Sequence, residues 1–249
     1  MSMSELAIEV KNLNQTLLDR EILKNISFEV KKGRSLAVLG GSGAGKSVLL
    51  QVITGLIEKT EGKILILGKK HNSTEEQKKD FNKIGIMFQS CGLFNFLNVI
   101  ENVACIENLI YFKKNLQSVN QKAEEMLFKV GLDESSFKKP ISKISGGMQK
   151  RVAFARMLFY NPEIFFLDEP TAGLDPISSD EIAKVLKNIL KEENKTCITI
   201  THDIHVANEI ADDILFLYKG EILFFGKKDD FINSENQVVQ RYIECCKIK

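Results

Sequence analysis

Residues 40–47 read G-G-S-G-A-G-K-S, which satisfies the phosphate-loop pattern G-x-x-x-x-G-K-[ST]. The apolar run Ser35–Leu39 precedes the loop and the helical pattern Val48–Ile57 follows it. Glycines let successive backbone N–H groups converge on phosphate oxygens, and the following helix adds its positive end. The candidate cradle is Gly40, Gly41, Ser42, Gly43, Ala44, Gly45, Lys46, Ser47 and Val48. Within it, Lys46 is placed to reach the β- and γ-phosphates and Ser47 to ligate magnesium through its hydroxyl. A plain glycine-rich turn before a helix is the alternative, and the complete motif in this context outweighs it.

A second group of residues supplies what phosphoryl transfer to water requires, an oriented nucleophile and a held metal. The run I-F-F-L-D-E at 164–169 ends a buried strand in two carboxylates. Asp168 is placed to hold magnesium through water, and Glu169 to polarise an attacking water. His202, in T-I-T-H-D, and Gln89, after Ile84–Phe88, also end apolar runs. In α/β sheets ligands bind at the carboxyl ends of the strands. His202 is therefore a candidate γ-phosphate contact, and Gln89 joins it at the same rim. Ser145-Gly146-Gly147 then stand directly before the helical run Met148–Leu158, although each helical glycine costs about 1 kcal/mol against alanine. Glycines opening a helix expose unpaired N–H groups, a second anion-binding end. One ATP already has its phosphate loop, so the economical inference is that this end clamps the γ-phosphate of an ATP held by another copy.

The elements that must position these residues follow from periodicity. Strands are expected at Leu6–Val10, Ile26–Val30, Ser35–Leu39, Ile64–Leu67, Ile84–Phe88, Ile164–Asp168, Cys197–Thr201, Ile214–Leu217 and Ile222–Phe225. The early ones alternate with polar residues as a half-wet antiparallel sheet does, and Ser35–Leu39, Ile164–Asp168 and Cys197–Thr201 are more continuously apolar, as in strands covered on both faces. Helical stripes run through Val119–Val130 and Ile182–Leu190, the latter launched by Asp175-Pro176. Ser90–Leu158 is almost entirely helical in pattern, which predicts a helical lobe inserted into an α/β core. The polar stretch His71–Asn82 reads as a loop or short exposed helix, and Phe231–Ile243 as a short terminal helix.

The 249 residues suffice for one large domain. A net charge of +1 with 27% charged residues speaks against a nucleic-acid grip built on bulk charge. Five cysteines without zinc-like or CxxC spacing fit a reducing compartment. No apolar run reaches the roughly 18 residues needed to cross a bilayer, so a cytoplasmic chain that meets a membrane through a partner is expected.

These residues together resemble the ATP-binding-cassette ATPases, over Leu6 to about Gly226. G-G-S-G-A-G-K-S is similar to the family's Walker A, Gln89 to its Q-loop and I-S-G-G-M to its signature. F-F-L-D-E-P is similar to Walker B, A-G-L-D-P to the D-loop and His202 to the switch histidine. The resemblance implies an α/β fold: a P-loop NTPase core with an N-terminal antiparallel β-subdomain and an inserted helical subdomain. It implies one domain over 1–249, with the helical subdomain at about 90–158 and a short C-terminal extension at 227–249. It also implies ATP and Mg2+ as cofactors, with Lys46, Asp168, Glu169 and His202 catalytic. Ser47, Gln89 and Asp168 (through water) would hold the metal. In a head-to-tail homodimer these residues would face Ser145 and Gly147 of the other copy, and Asp175 would cross the interface to couple the sites.

Three stretches, F-Q-S-C-G-L-F, S-G-G-M-Q-K-R-V-A-F-A-R and E-P-T-A-G-L-D-P-I, resemble the ATPases of Mce/Mla-type lipid transporters. There Met148 and Ile177 stand where relatives handling amino acids or metals more often show Gln and a different residue. That resemblance implies phospholipid transport between bacterial inner and outer membranes. The ATPase would lie on the cytoplasmic face of the inner membrane, beneath a permease dimer bound through Phe94–Phe112 of the helical subdomain. A lipid-binding Mce-domain protein would be an indirect partner, and no nucleic acid is expected. The alternatives are another transporter (lipoprotein release or nutrient import) or a non-transporting scaffold in assembly or cell division. The chain departs from the family at Ile144 and Met148 of the signature. It also lacks an aromatic residue in V-K-N-L-N-Q-T-L-L-D-R, where the base-stacking position falls near Gln15. Base stacking contributes on the order of 1–3 kcal/mol, so weak discrimination of ATP from GTP is expected.

Overall fold

A computed structural model describes residues 5–70, 83–110 and 116–247. The expected polar loop His71–Asn82 lies outside the described residues, as does the end of the Phe94–Phe112 segment. The first strands, β1 (Leu6–Leu17) and β2 (Arg20–Lys31), form a long antiparallel hairpin. Its two-residue turn places Leu18 and Asp19 at φ +48° and +60°, the paired left-handed geometry whose twist matches that of the flanking strands. β1 runs well beyond the expected Val10 because register shifts absorb Asn12, at φ +47°, and alternation resumes with Leu13 and Gln15 buried. A polar interruption ends a sequence pattern, whereas a bulge lets the strand continue. With β4 (Glu61–Ile66) and the two-residue β5 (Lys69–Lys70) these strands make an antiparallel sheet in the order β2-β1-β4-β5.

The second sheet has the continuously apolar runs Ser35–Leu39, Ile164–Asp168 and Thr196–Ile200 at its centre. Its strands are β3 (Ser35–Leu39), β6 (Ile84–Met87), β7 (Ile164–Asp168), β8 (Thr196–Ile200), β9 (Asp213–Tyr218) and β10 (Glu221–Lys227). They lie in the order β10-β9-β3-β8-β7-β6, parallel except for the edge pair β9–β10. A parallel sheet is covered on both faces, and the packing divides accordingly. One core joins the antiparallel sheet and α1 (Lys46–Ile53) to one side of the parallel sheet through Leu13, Ile26, Leu49, Phe166 and Leu215. A second joins α5 (Pro176–Glu192) and the helical lobe to the opposite side. A third gathers α6 (Ile204–Ile210), α7 (Lys228–Ile232) and α8 (Gln237–Lys247) around Leu39, Phe216 and Phe231.

The helical lobe contains α2 (Val99–Ile110), α3 (Leu116–Lys129) and α4 (Gly146–Leu158). α2 opens on a capping box, in which Asn98 Oδ1 accepts from Glu101 N at 2.9 Å and Glu101 Oε2 accepts from Asn98 N at 2.8 Å. Val99 and Val103 are fully buried in the lobe, while Phe96 remains 78% exposed. The loop that carries Phe94 and Phe96 is fixed by Asn102, a wholly buried polar side chain. Asn102 accepts from Phe94 N and donates to the carbonyls of Phe94, Leu97 and Asn98 at 2.8–3.2 Å. Among the described residues, no helix is long and apolar enough to cross a membrane.

Replacing Asn102 with Ala takes the side-chain partner from the Phe94 N–H and the Leu97 carbonyl, while the Phe94 and Asn98 carbonyls keep the backbone donors Leu97 N and Asn102 N. Loss of about 2 kcal/mol is expected, measured as a lowered thermal midpoint, with proteolysis first opening the Phe94–Asn98 loop. An unchanged midpoint would contradict this account of the loop.

Candidate active site

The parallel register brings the carboxyl ends of β3, β8, β7 and β6 to one rim, and the candidate residues follow those ends directly. After Leu39 the chain turns through Gly40 at φ +155° and Gly45 at φ +104°. Neither position admits a side chain: a Cβ would lie 2.3 Å from Leu217 O at Gly40 and 2.8 Å from Leu23 Cδ2 at Gly45. Gly41 and Gly43 have nothing within 4 Å of such an atom. Two glycines are thus required by the fold, while two leave an open backbone surface of the kind a phosphate group fills. Gly45 precedes α1 without any side-chain cap, so the first N–H groups of that helix point into the same space. Lys46 Nζ lies over the loop, donating to Gly40 O at 2.8 Å and Gly41 O at 3.1 Å. Ser42 and Ser47 are exposed beside it, and Ala44 and Val48 pack inward.

Burial lowers the Lys46 ammonium's affinity for its proton, and the nearby carboxylates Glu169 and Asp168 oppose that shift. Asp168, at the end of β7, is raised from the ordinary carboxylate value, first by burial and then by Glu169. Its Oδ1 is buried and accepts no hydrogen bond among the described residues. A desolvated carboxylate oxygen without a donor is costly, and it is the arrangement a hydrated divalent cation relieves.

Glu169 occupies a left-handed backbone conformation, φ +49°. For a glutamate this costs of order 1–3 kcal/mol, and the fold holds it there by a bond from Glu169 N to Ile200 O at 2.9 Å. The twist turns the carboxylate toward His202, whose Nδ1 lies 2.9 and 3.0 Å from its two oxygens. An ionised carboxylate only accepts, so Nδ1 carries the hydrogen and Nε2 faces outward from the pair. His202 is exposed, as a residue meeting a ligand would be.

Gln89 is exposed at the end of β6, and its main chain is fixed by a residue that the sequence reading passed over. Lys150, 6% exposed, donates from Nζ to Gln89 O at 2.6 Å and reaches Glu169 O at 3.5 Å. A buried ammonium therefore bridges the two loops of the candidate site from within α4. Arg156, two turns on, donates to Cys91 O at 2.5 Å and Gly92 O at 2.7 Å. Both cations lie in K-R-V-A-F-A-R, but their acceptors are carbonyls that residue type does not reveal.

Ser145 caps α4, its hydroxyl accepting from Met148 N at 3.3 Å. Gln149 donates to the carbonyls of Ile141 and Ile144, and Ile144 is buried. Neither departure from the family signature thus disturbs the helix start. A Cβ on Gly146 or Gly147 would meet its nearest atoms at 3.4 and 3.9 Å, ordinary contact distances. Nothing in the chain's own packing requires two glycines there. A cleft of about 370 Å³ opens beside them, with Ser145, Gly147, Arg151 and Ser178 in its wall. Asp175 caps α5 through bonds from Ile177 N and Ser178 N at 3.0 Å and from Ser178 Oγ at 2.6 Å. The Ser178 hydroxyl, then the backbone amides, hold its carboxyl below the usual carboxylate range.

The position matched to the family's base-stacking residue is turned inward. Gln15 does not face a base: it is 2% exposed, accepting from Thr60 N at 3.0 Å and donating to Glu58 O at 3.3 Å. The continued alternation of β1 turns it inward, and the exposed apolar residue of that hairpin is Leu18 at its tip.

A family model described as "ABC transporter" matches residues 23–172, spanning the phosphate loop, the signature and the acidic pair. The chain belongs to the ABC transporter family. It is 35% identical to the phosphonates import ATP-binding protein PhnC of Treponema denticola, over 92% of each chain. It is 36% identical to the arginine transport ATP-binding protein ArtM of Bacillus subtilis, over 95% of this chain and 98% of that one. With the protein trigalactosyldiacylglycerol 3, chloroplastic, of Arabidopsis thaliana it shares 33% identity over 96% of this chain and 74% of that one. The dimeric structure of MJ0796, a bacterial ABC transporter cassette, superposes with a TM-score of 0.80 at 34% identity, covering 89% of this chain and 98% of that one. This ABC protein is accordingly a Mg2+-dependent ATPase coupled to transport. The open glycines and the donorless Asp168 oxygen fit ATP and Mg2+. Ser47 and Asp168 would hold the metal, whose charge offsets that on the phosphate oxygens.

A stability test of Asp168 follows from its burial. Ionisation of a carboxyl whose folded-state value is raised costs stability as pH rises through that value, and the cost vanishes below the ordinary 3.8. In nucleotide-free protein, Asp168→Asn is expected to raise the thermal midpoint most near about pH 8 and least near about pH 4. The same change is expected to abolish the rise that MgATP gives the wild type. A lowered midpoint at every pH would contradict the assignment.

Proposed function

We propose that two copies of the chain close head to tail around two ATP molecules, and that hydrolysis opens them to drive a membrane permease. The observation that carries this reading is the pair of glycines at 146 and 147. Their own chain leaves room for side chains, so the demand for bare backbone comes from outside it. In this reading Gly41, Gly43 and Lys46 hold the phosphates, with Ser42, Ala44, Gly45 and Val48 completing the cradle. Ser47, Asp168 and Gln89 surround the metal. Glu169 orients the attacking water, and His202, held by Glu169 through Nδ1, offers Nε2 to the γ-phosphate. Ser145 and Gly147 of the second copy close over that phosphate, and Asp175 beside exposed Ile177 lies at the seam. The exposed Phe94 and Phe96, on the loop fixed by Asn102, are the proposed permease contact on the membrane's cytoplasmic side.

For the cargo, we read import of a small polar solute first. The relatives named for phosphonate import and arginine transport align over nearly the whole of both chains. Phospholipid transport with an Mce-domain partner is the second reading. It is favoured by the three residue stretches that resemble lipid-transporter ATPases, and by the relative named for trigalactosyldiacylglycerol. Purification from gently solubilised membranes separates them. A permease with an extracytoplasmic solute receptor supports import, and a permease with a single-span lipid-binding protein supports lipid transport.

Glu169→Gln is expected to lower turnover by about 10²–10⁴-fold and to give a stable dimer in ATP by size-exclusion chromatography. Adding Gly147→Asp places a like charge against the γ-phosphate and is expected to return that dimer to monomer, with an unchanged thermal midpoint. Wild-type turnover in the first variant, or a persistent dimer in the second, would sink the reading. The stretch Val10–Arg20 has no aromatic residue and Phe28 of the same hairpin is buried, so ATP and GTP are expected to give comparable kcat/KM values. A large ATP preference would contradict that expectation.

A further inference from the structure

The C-terminal helix α8 packs where its sequence gives no hint of function, against the strand and loop that bear the catalytic rim. Asn236 caps it, accepting from Val238 N at 2.9 Å and Val239 N at 3.4 Å. Val239 and Ile243 are buried beside Leu39, the last residue of β3 before the phosphate loop, and Ala207 of α6. The Tyr242 ring lies 4.9 Å from that of Phe216 on β9, centroid to centroid. This packing directs the Tyr242 hydroxyl at the turn between β8 and α6, where it donates to the main-chain carbonyl of His202 at 3.0 Å.

That turn is held from three sides. Glu169 engages the His202 ring, and Thr201 Oγ1 accepts from Asp203 N at 3.0 Å. Asp203 caps α6 by accepting from His205 N and Val206 N. Thr201 and Asp203 fix the peptides that follow His202. Only the Tyr242 hydroxyl, among the hydrogen bonds described, reaches the carbonyl of His202 itself. Burial pushes that hydroxyl's pKa well above the usual phenol range, with Cys246 and Glu169 acting in the same direction and the Gly40 backbone opposing. The group is therefore a proton donor at any working pH, and it stands between the start of the phosphate loop and the histidine.

We propose that Tyr242 is a positioning residue for hydrolysis, the C-terminal helix fixing the switch histidine's main chain through its hydroxyl while Glu169 fixes the ring. The proposal rests on the catalytic role assigned above to His202. A histidine held at both ends presents Nε2 along one direction. Freed at its carbonyl, it samples several, and misplacements of about 1 Å can cost up to 10²-fold in rate. Loss of the hydroxyl therefore acts on kcat and not on nucleotide affinity, which the phosphate loop supplies.

Tyr242→Phe tests this because it keeps the ring against Phe216 and removes the hydroxyl, both as donor to His202 O and as acceptor from the Gly40 backbone, and KM for ATP reports whether the second loss matters. A kcat lower by about five- to ten-fold is expected, with KM for ATP changed less than about two-fold and the thermal midpoint retained. In a His202→Ala background the same change is expected to have no further effect, since the residue it positions is gone. Unchanged kcat in Tyr242→Phe, while His202→Ala retains only a small measurable fraction of wild-type turnover, would overturn the proposal and leave the site intact. A loss that recurs undiminished in the His202→Ala background, or that follows a lowered thermal midpoint, would make Tyr242 merely structural and overturn it. Wild-type activity in His202→Ala would instead remove the site assignment on which the proposal stands.

Discussion

The parallel pairing of β3 with β8, and of β8 with β7 and β7 with β6, is the constraint on which the rest depends. Parallel strands end on the same side of their sheet. Leu39, Met87, Asp168 and Ile200 therefore deliver their next residues to one rim, although those residues are spread over more than a hundred positions of the sequence. Each strand then leaves the sheet by a turn that re-aims its first residues. Gly40 does so at φ +155° and Glu169 at φ +49°. The strain at Glu169 stays within reach of its support because the adjacent strand supplies an acceptor at Ile200. The hydrophobic burial of Phe165, Phe166, Ile198 and Val38 thereby holds charged groups together in a partly desolvated space.

That space explains the electrostatics. Asp168 and Lys46 are shifted in opposite directions by the same cause, burial, and each is partly offset by the other's charge. Neither shift is fully relieved, and among the described residues one Asp168 oxygen is left without a donor. In the proposed site, phosphates beside Lys46 and a divalent cation beside Asp168 would relieve both. The glycines divide in the same way. Gly40 and Gly45 answer to the chain's own packing and Gly43 to its own backbone at φ +74°, whereas Gly41, Gly146 and Gly147 have free space where a side chain would go. The first kind specifies the fold, and the second marks surfaces that something else must approach.

The division also explains what was legible in the residues alone. Phosphate loop, acidic pair and signature are written in side-chain types at fixed spacing, and the strands beneath them in unbroken apolar runs. The helical lobe between Ser90 and Leu158 was legible for the same reason. Lys150, Arg156, Asn102 and Tyr242 were not, because each works on a main-chain carbonyl, and every residue carries one. Only the fold decides which carbonyl comes within 3 Å. The extension of β1 to Leu17 was hidden by the polar Lys11-Asn12, and with it the inward turn of Gln15. The short helices α6 and α7 are below the length at which periodicity speaks.

The central claim is that each ATP is completed by the signature of a second copy, and complementation tests it most directly. A Lys46→Ala chain lacks a working phosphate loop, and a Gly147→Asp chain lacks a working signature. Each alone is expected to be inactive. In their mixed dimer one site pairs the intact loop of one chain with the intact signature of the other. Mixing is thus expected to restore ATPase activity to at most about a quarter of wild type, one site of two in half the dimers. No recovery on mixing, with both chains folded and mixed dimers present, would contradict the composite site.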